Sequence, residues 1–512
     1  NRPQIMLSDN ELILLGSENY NSTRIILVNI SDVNAPTITK DISFNGPLTD
    51  ARIANHILHT VLGNYGGFNK DLDYPEYDYN LIDDYCGDVT TLADKAESRL
   101  RKAYADALAK NTATIKAATI ADFNLPAFTK GGIETKVDCT DFADDQSGEG
   151  SLATVYSLNL DRLSQDETTV ISGAGYFVYA SADSLYLTSQ TSYNWWDNTS
   201  EEKTIVHRFA LGSGSKLHAY QGTGSVPGHI LNSFSLGEYE GHLRIATTTG
   251  FWGDETTNQV YILDTTNPSL PIVGSIEDIA KGETIYGVRF LGSRGYVVTF
   301  KKIDPLFVLD LQAPTNPQIA GELKMPGYST YIHPINERLV LGIGKDAEDM
   351  GSFAWFQGVK LALFDVSDPS NPKIVDEEII GDRGTTSDAI SNHHAFTYDA
   401  TTGLLALPIS YYSGIQDESN VGDFEYNGFH VYQISPQGIS EKAIIKSDTH
   451  VDEGMWWDDD NDRTILVNGN NANYLYGLQN SNLTTVDLDA PADILSEATL
   501  SEAIDNSYPM YY

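Results

Sequence analysis

The chain has 512 residues, 71 of them acidic against 32 basic, for a formal charge of −39. Such a field repels phosphate backbones around the whole surface, which excludes nucleic acid and disfavours anionic membranes unless a cation bridges the contact. A hydrophobic fraction of 41% with 42 glycines and 29 tyrosines excludes a disordered acidic tail, and no run approaches the roughly eighteen apolar residues of a membrane-spanning helix.

In chain order, residues 11–16 (ELILLG) and 24–30 (RIILVNI) read as strands. The run 51–62 (ARIANHILHTVL) fits a strand or a short helix, and the surrounding rhythm favours a strand. From Gly63 to about Glu149 the composition changes. A Tyr/Asp stretch carries Asp71, Asp73, Glu76, Asp78, Asp83, Asp84 and Asp88, a helix is predicted from Thr91 to about Ala121, and a second acidic stretch runs from Asp138 to Asp145. Leu100, Tyr104 and Leu108 fall on one helix face, which predicts an arm or cap packed outside the main body, with a protein-binding arm as the alternative. Cys86 and Cys139, the two cysteines, bracket this region; a single disulfide tying its base is expected, with two unpaired thiols as the alternative.

Strand runs resume at 153–159, 172–178, 184–189 and 203–210, then at 216–220, 228–235, 242–248 and 259–264. One cassette recurs through the chain: VNISDVNAPTI at Val28, LDTTNPSLPIV at Leu263, LDLQAPTNPQI at Leu309 and FDVSDPSNPKI at Phe364. Each ends a strand on Asn29, Asp264, Asp310 or Asp365, and seven residues later Pro36, Pro271, Pro317 or Pro372 opens the next apolar run. The acid or amide is accounted for by bonds to its own turn, and the proline forces the chain to re-enter extended. Intervals of 46 and 55 residues between Asp264, Asp310 and Asp365 fit four-stranded propeller blades with insertions. The expected fold is therefore all-β, a β-propeller of eight blades with seven as the alternative, carrying a helical insertion. Residues 1–62 would form the first strands and blade, 63–149 the insertion, and 150–512 the remaining blades and ring closure.

Candidate chemistry begins with the eleven histidines. His393 and His394, in SNHHAF, are predicted to begin an inner strand, and His333 holds a comparable place one blade earlier. Neighbours in a strand face opposite ways, so one of the pair would join His333 at the channel, where imidazoles favour copper or zinc. The ordinary alternative is a histidine satisfied within a blade turn. Calcium is the expectation for the carboxylates, at Asp71 and Asp73 or at Asp458, Asp460 and Asp462 beside Trp456 and Trp457, although no string reproduces an EF-hand. Lys301, Lys302 and Asp304, in FKKIDPLF, form a charge cluster at a channel mouth, either internally paired or open to an acidic ligand. No GxSxG elbow, phosphate loop or dinucleotide fingerprint is present.

Four segments carry a family resemblance: VPGHILNSFSLGEYEGHLRIATTTG (226–250), GETIYGVRFLGSRGYVVTFKKIDPLFVLDL (282–311), VKLALFDVSDPSNPKIVDEEIIGDRGTTSDAISNHHAF (359–396) and LLALPIS (404–410). The chain resembles secreted bacterial and archaeal proteins with a C-terminal β-propeller distantly related to WD-type propellers. The resemblance implies export to the periplasm or cell exterior and brings no catalytic assignment; the start at Asn1 is read as a mature or trimmed product. The expected function is a cation-stabilised binding or scaffold module. Its partner would be an extracellular protein or polysaccharide, met by the aromatic segments 193–197, 353–356 and 455–460. The alternative is a metal-dependent enzyme or metal carrier using the channel histidines.

Overall fold

The computed structural model describes residues 4–19, 21–64, 67–74, 89–143, 151–173, 175, 177–191, 202–212, 216–250, 256–300, 304–325, 327–349, 354–414, 421–447, 462–469, 472–479, 482–490 and 494–499. Its strands form eight antiparallel sheets, seven of four strands and one extended to six, which makes the chain an eight-bladed β-propeller. By internal packing it divides into two compact units: residues 1–190 with 205–224, and residues 191–204 with 225–512.

Within the first unit, the sheet of blade 1 runs Gln4–Ser8, Glu11–Asn19, Ser22–Asn29, Thr37–Asn45. Alternation decides its faces: Thr23, Ile25 and Leu27 are buried while their neighbours are only half-covered. Ile13, Leu15, Ile25 and Leu27 form one layer with Leu58, Leu62, Tyr156 and Leu158 of blade 2. The ambiguous run around 51–62 is a hairpin, Leu48–Ala54 paired with Ile57–Asn64, turned by Asn55 and His56 at φ of 52° and 57°. Two consecutive left-handed residues make the tight turn that matches strand twist.

The insertion leaves blade 2 between two paired strands, Ile57–Asn64 and Leu152–Asn159, where Asn64 lies opposite Leu152. It contains the helix Val89–Lys116 and a hairpin, Ala127–Lys130 with Ile133–Lys136, turned by Gly131 and Gly132 at positive φ. The hairpin pairs with Thr37–Asn45 and so covers the outer edge of blade 1, placing Phe128 opposite Phe44. The helix differs from the expectation. Its half-buried row is Ala103, Ala107 and Asn111, whereas Leu100, Tyr104 and Leu108 are exposed. Small residues permit close approach, and Asn111 binds the backbone of Asp73 through both its amide groups, at 2.8 Å each.

In the second unit, blades 4 to 8 follow one plan, with an apolar layer between each neighbouring pair. The cassette is the turn between the third and outermost strands. Asp264 accepts Thr266 N–H at 2.9 Å, Asp310 accepts Gln312 N–H at 3.0 Å, and Asp365 accepts Ser367 N–H at 2.8 Å. In blade 1, Asn29 accepts Ser31 N–H at 3.1 Å. A register shift follows in each blade where the carboxylate strand meets the outer strand. The cassette also does something its sequence did not announce. A Cβ on Gly274 of blade 4 would stand 2.2 Å from the carbonyl oxygen of Pro314 in the blade 5 turn, and one on Gly321 of blade 5 would stand 2.3 Å from that of Pro369 in blade 6. The proline turns of blades 5 and 6 are thus each seated on a glycine of the preceding blade.

Candidate functional site

Two connections between blades begin the site. Residues 228–235, expected as a strand, instead hold a short turn Ser233–Ser235, because the Asn232 side chain accepts the N–H of Phe234 at 2.9 Å. His393–Ala395 is the same device: Asn392 accepts the N–H of His394 at 3.1 Å, and the strand starts only at Thr397. The expectation that His393 and His394 begin an inner strand is corrected accordingly, since an asparagine side chain that captures a nearby amide favours a turn over a ladder. The two rings lie on the same turn, 4.1 Å apart, and do not point to opposite sheet faces.

These turns bring Phe234 and His393 edge to face, with ring centres 4.8 Å apart. Tyr331, from the inner strand Tyr328–Pro334 of blade 6, joins both, at 5.2 Å from Phe234 and 6.2 Å from His393. His333 follows on that strand, its Nδ1 3.1 Å from the Tyr331 hydroxyl and its ring 4.9 Å from Phe396. Burial, and then the positive charge of Arg289, push the His333 imidazole down to about 4. His333 and His393 each contact Tyr331, although His393 comes from a turn and not from the expected inner strand, while His394 is exposed.

Around this aromatic group is a pocket of about 640 Å³, walled by Phe234, Tyr286, Tyr331 and His393 together with Ile230, Ile285 and Ile390. Asn232, Ser233, Thr284 and Ser391 supply its polar edge. No Asp, Glu, Lys or Arg is among its lining residues. Tyr286 also starts a second aromatic group, with Phe300 at 5.3 Å and Tyr328 at 5.0 Å; Phe356 closes it at 5.1 Å from Tyr328 and is itself 41% exposed. Beside Phe356, Trp355 carries the Arg383 guanidinium 3.8 Å from its ring centre. Of the expected aromatic contact segments, 353–356 thus contributes Trp355 and Phe356; segments 193–197 and 455–460 lie outside the described residues.

The carboxylates fall elsewhere. Asp73 is paired with Lys110 of the insertion helix, and Asp71 is exposed. Asp462 accepts Gln479 Nε2 at 2.7 Å and donates its N–H to Asp388 at 3.0 Å, which makes it a join between blades 7 and 8. Asp458 and Asp460 lie outside the described residues, as do Lys301 and Lys302; Asp304 begins the third strand of blade 5. Cys139 is an exposed free thiol, and Cys86 lies outside the described residues. Among the described residues, no three His, Cys, Asp or Glu side chains gather as a metal site.

Sequence reasoning missed one polar cluster entirely. Between blades 2 and 3, Ser157 Oγ lies 2.7 Å from Nδ1 of both His59 and His218, and His218 Nε2 lies 2.9 Å from Thr169 Oγ1. The chain of bonds is satisfied with all protons running one way, either from His59 Nδ1–H through Ser157 and His218 to Thr169 or from the Thr169 hydroxyl back to His59 Nδ1. All three members of the core are buried, so no substrate reaches the hydroxyl and the cluster is structural. Residues scattered from position 59 to 218 gave no spacing signal.

A family model described as a beta propeller domain matches residues 4–490. The chain belongs to that family. It is 39% identical over 267 residues to an uncharacterized protein of Methanocaldococcus jannaschii, covering 52% of this chain and 36% of that one. It is 40% identical over 265 residues to an uncharacterized protein of Archaeoglobus fulgidus, covering 48% and 39%. The chain thus matches well under half the length of either relative. Among solved structures, the periplasmic gluconolactonase of Pseudomonas aeruginosa is similar with a TM-score of 0.37 and 9% identity, over 70% of this chain and 94% of that one. A likeness at that level says nothing of activity.

Proposed function

We propose that this chain is an exported binding propeller whose ligand site is the pocket between the turns Ser233–Ser235 and His393–Ala395. The observation that carries the reading is the lining: in a protein of 71 acids and 32 bases, the pocket is walled by aromatic rings and edged by uncharged donors. Pockets that are largely apolar with a few convergent polar groups are the common form of ligand site. Among the described residues, the hydroxyls of Ser233 and Thr284 make no bond, which leaves them to a ligand. The rigid blades supply positioning, and the partner is a molecule met outside the cytoplasm.

Calcium, on this reading, belongs to the acidic surface and not to the pocket, which has no carboxylate to offer it. Chelation should therefore lower the unfolding temperature and leave ligand affinity unchanged, read by calorimetric unfolding and titration with and without EDTA. The reading itself is tested by screening extracellular polysaccharides and secreted proteins against the chain and its Tyr331→Ala variant. A ligand whose affinity falls about tenfold or more in the variant supports it; ligands bound equally by both place the site elsewhere.

A further inference from the structure

Three polar groups of the pocket lining have nothing to bind. The side-chain oxygen of Asn232 accepts the N–H of Phe234 at 2.9 Å, which fixes the amide and leaves its NH2 as the remaining donor. Among the described residues that NH2 makes no bond, and neither does the hydroxyl of Ser233 or of Thr284. Asn232 and Ser233 belong to the turn before blade 4, and Thr284 opens the inner strand Thr284–Leu291 of blade 5, so the three converge from separate elements.

This chemistry narrows the ligand by exclusion. A purely apolar molecule would bury the three groups unsatisfied, a cost that a ligand with hydroxyls avoids. An ionic ligand finds no Asp, Glu, Lys or Arg in the lining, and His229, which does line it, is already paired with Glu202. A surface of 71 acids against 32 bases also repels anions before they arrive. The volume of about 640 Å³ is that of a site for one small molecule or a short stretch of a polymer, not of a protein interface.

Resting on the pocket as the ligand site, we infer that it takes an uncharged pyranose, a hexose or N-acetylhexosamine unit of a neutral glycan. Such a ring has a face of C–H groups for the walls made by Phe234, Tyr286 and Tyr331, and a rim of hydroxyls for Asn232, Ser233 and Thr284. The C–H groups are slightly positive and aromatic faces negative, so their stacking is attractive beyond the area it buries. Serine and threonine hydroxyls both donate and accept, as sugar hydroxyls do, while the amide donates only. With no charge on either side, salt has nothing to screen.

The test is calorimetric titration of the full chain with neutral hexose and N-acetylhexosamine oligosaccharides, with oligouronides, and with an uncharged apolar dye. The expected result is that a neutral glycan binds at least about tenfold more tightly than any oligouronide, with an affinity that changes less than about twofold between about 0.05 M and 0.5 M sodium chloride. Tyr331→Ala should remove this binding, and Thr284→Val and Ser233→Ala should each weaken it by about two- to tenfold. Asn232→Asp keeps an acceptor for the Phe234 N–H and loses the NH2, so it should weaken binding while the unfolding midpoint stays in place. Glycan binding that survives Tyr331→Ala would remove the pocket itself. Failure of every neutral glycan to bind would overturn the sugar class, and Tyr331-dependent binding of the dye or an oligouronide in that case would leave the pocket standing. Glycan binding unmoved by Thr284→Val, Ser233→Ala and Asn232→Asp would overturn the hydroxyl contacts.

Discussion

At the scale of single residues, the sharpest constraint is the glycine under the proline turns of blades 5 and 6. A methyl group on Gly321 would have to displace the backbone carbonyl of Pro369, which has no rotamer to escape into. Gly321→Ala should therefore destabilise the protein by about 1–3 kcal/mol, read from the midpoint of denaturant unfolding. No loss in that midpoint would mean the blades do not lock through the turn. The proline itself was legible in the repeat, but its seat was not, because a glycine in a neighbouring outer strand has no sequence mark tying it to a turn some forty residues later. Buried imidazoles set a second constraint. Burial pushes His59, His218 and His430 down to about 4, with His218 acting on His59, Lys216 on His218 and Lys446 on His430. Each stays neutral when folded but takes up a proton below about 6.5 when unfolded, so its contribution is complete above that pH and is lost as pH falls toward 4. Each accounts for on the order of 3 kcal/mol, and thermal unfolding at pH 7.5 and 5 should show a clear fall. A flat profile would mean these rings are already charged or exposed.

Elements were legible where pattern and packing agree. The cassette marks the turn between third and outer strands, and the strand runs favour eight blades over seven, which the eight sheets bear out. The helix at Val89–Lys116 was read from composition, yet its packed face was not. Leucine and tyrosine at four-residue spacing signal a core-facing stripe, but the half-buried row is Ala103, Ala107 and Asn111, tied by Asn111 to Asp73, and Leu108 is turned outward at 68% exposure. Leu108→Ser should accordingly leave the unfolding midpoint within about 0.5 kcal/mol of the parent, whereas a buried leucine would cost several times that. The two asparagine-capped turns were misread as strands for a related reason. Residues such as SFSLG and HHAFTY carry the apolar content of a strand, and only the preceding Asn232 and Asn392 divert the backbone. That diversion moves Phe234 and His393 off the sheet and into the pocket, so the part of the site least visible in the sequence is the part that shapes it.

For the whole molecule, charge and repeat answer different questions. The repeat determines the blades; the charge of −39 determines how the surface meets solvent and ligands. Self-repulsion at that charge is screened by salt over about 10 Å at 0.1 M, so stability should rise between about 0.01 M and 0.5 M sodium chloride. Against that background the pocket is an uncharged window. The most direct measurement is hydrogen exchange of the full chain with and without a polysaccharide or secreted protein whose binding Tyr331→Ala weakens. The account predicts slowed exchange in residues 229–234, 284–286, 330–331 and 389–393, with the insertion helix unchanged. Protection confined to the helix or to the outer strands would contradict it.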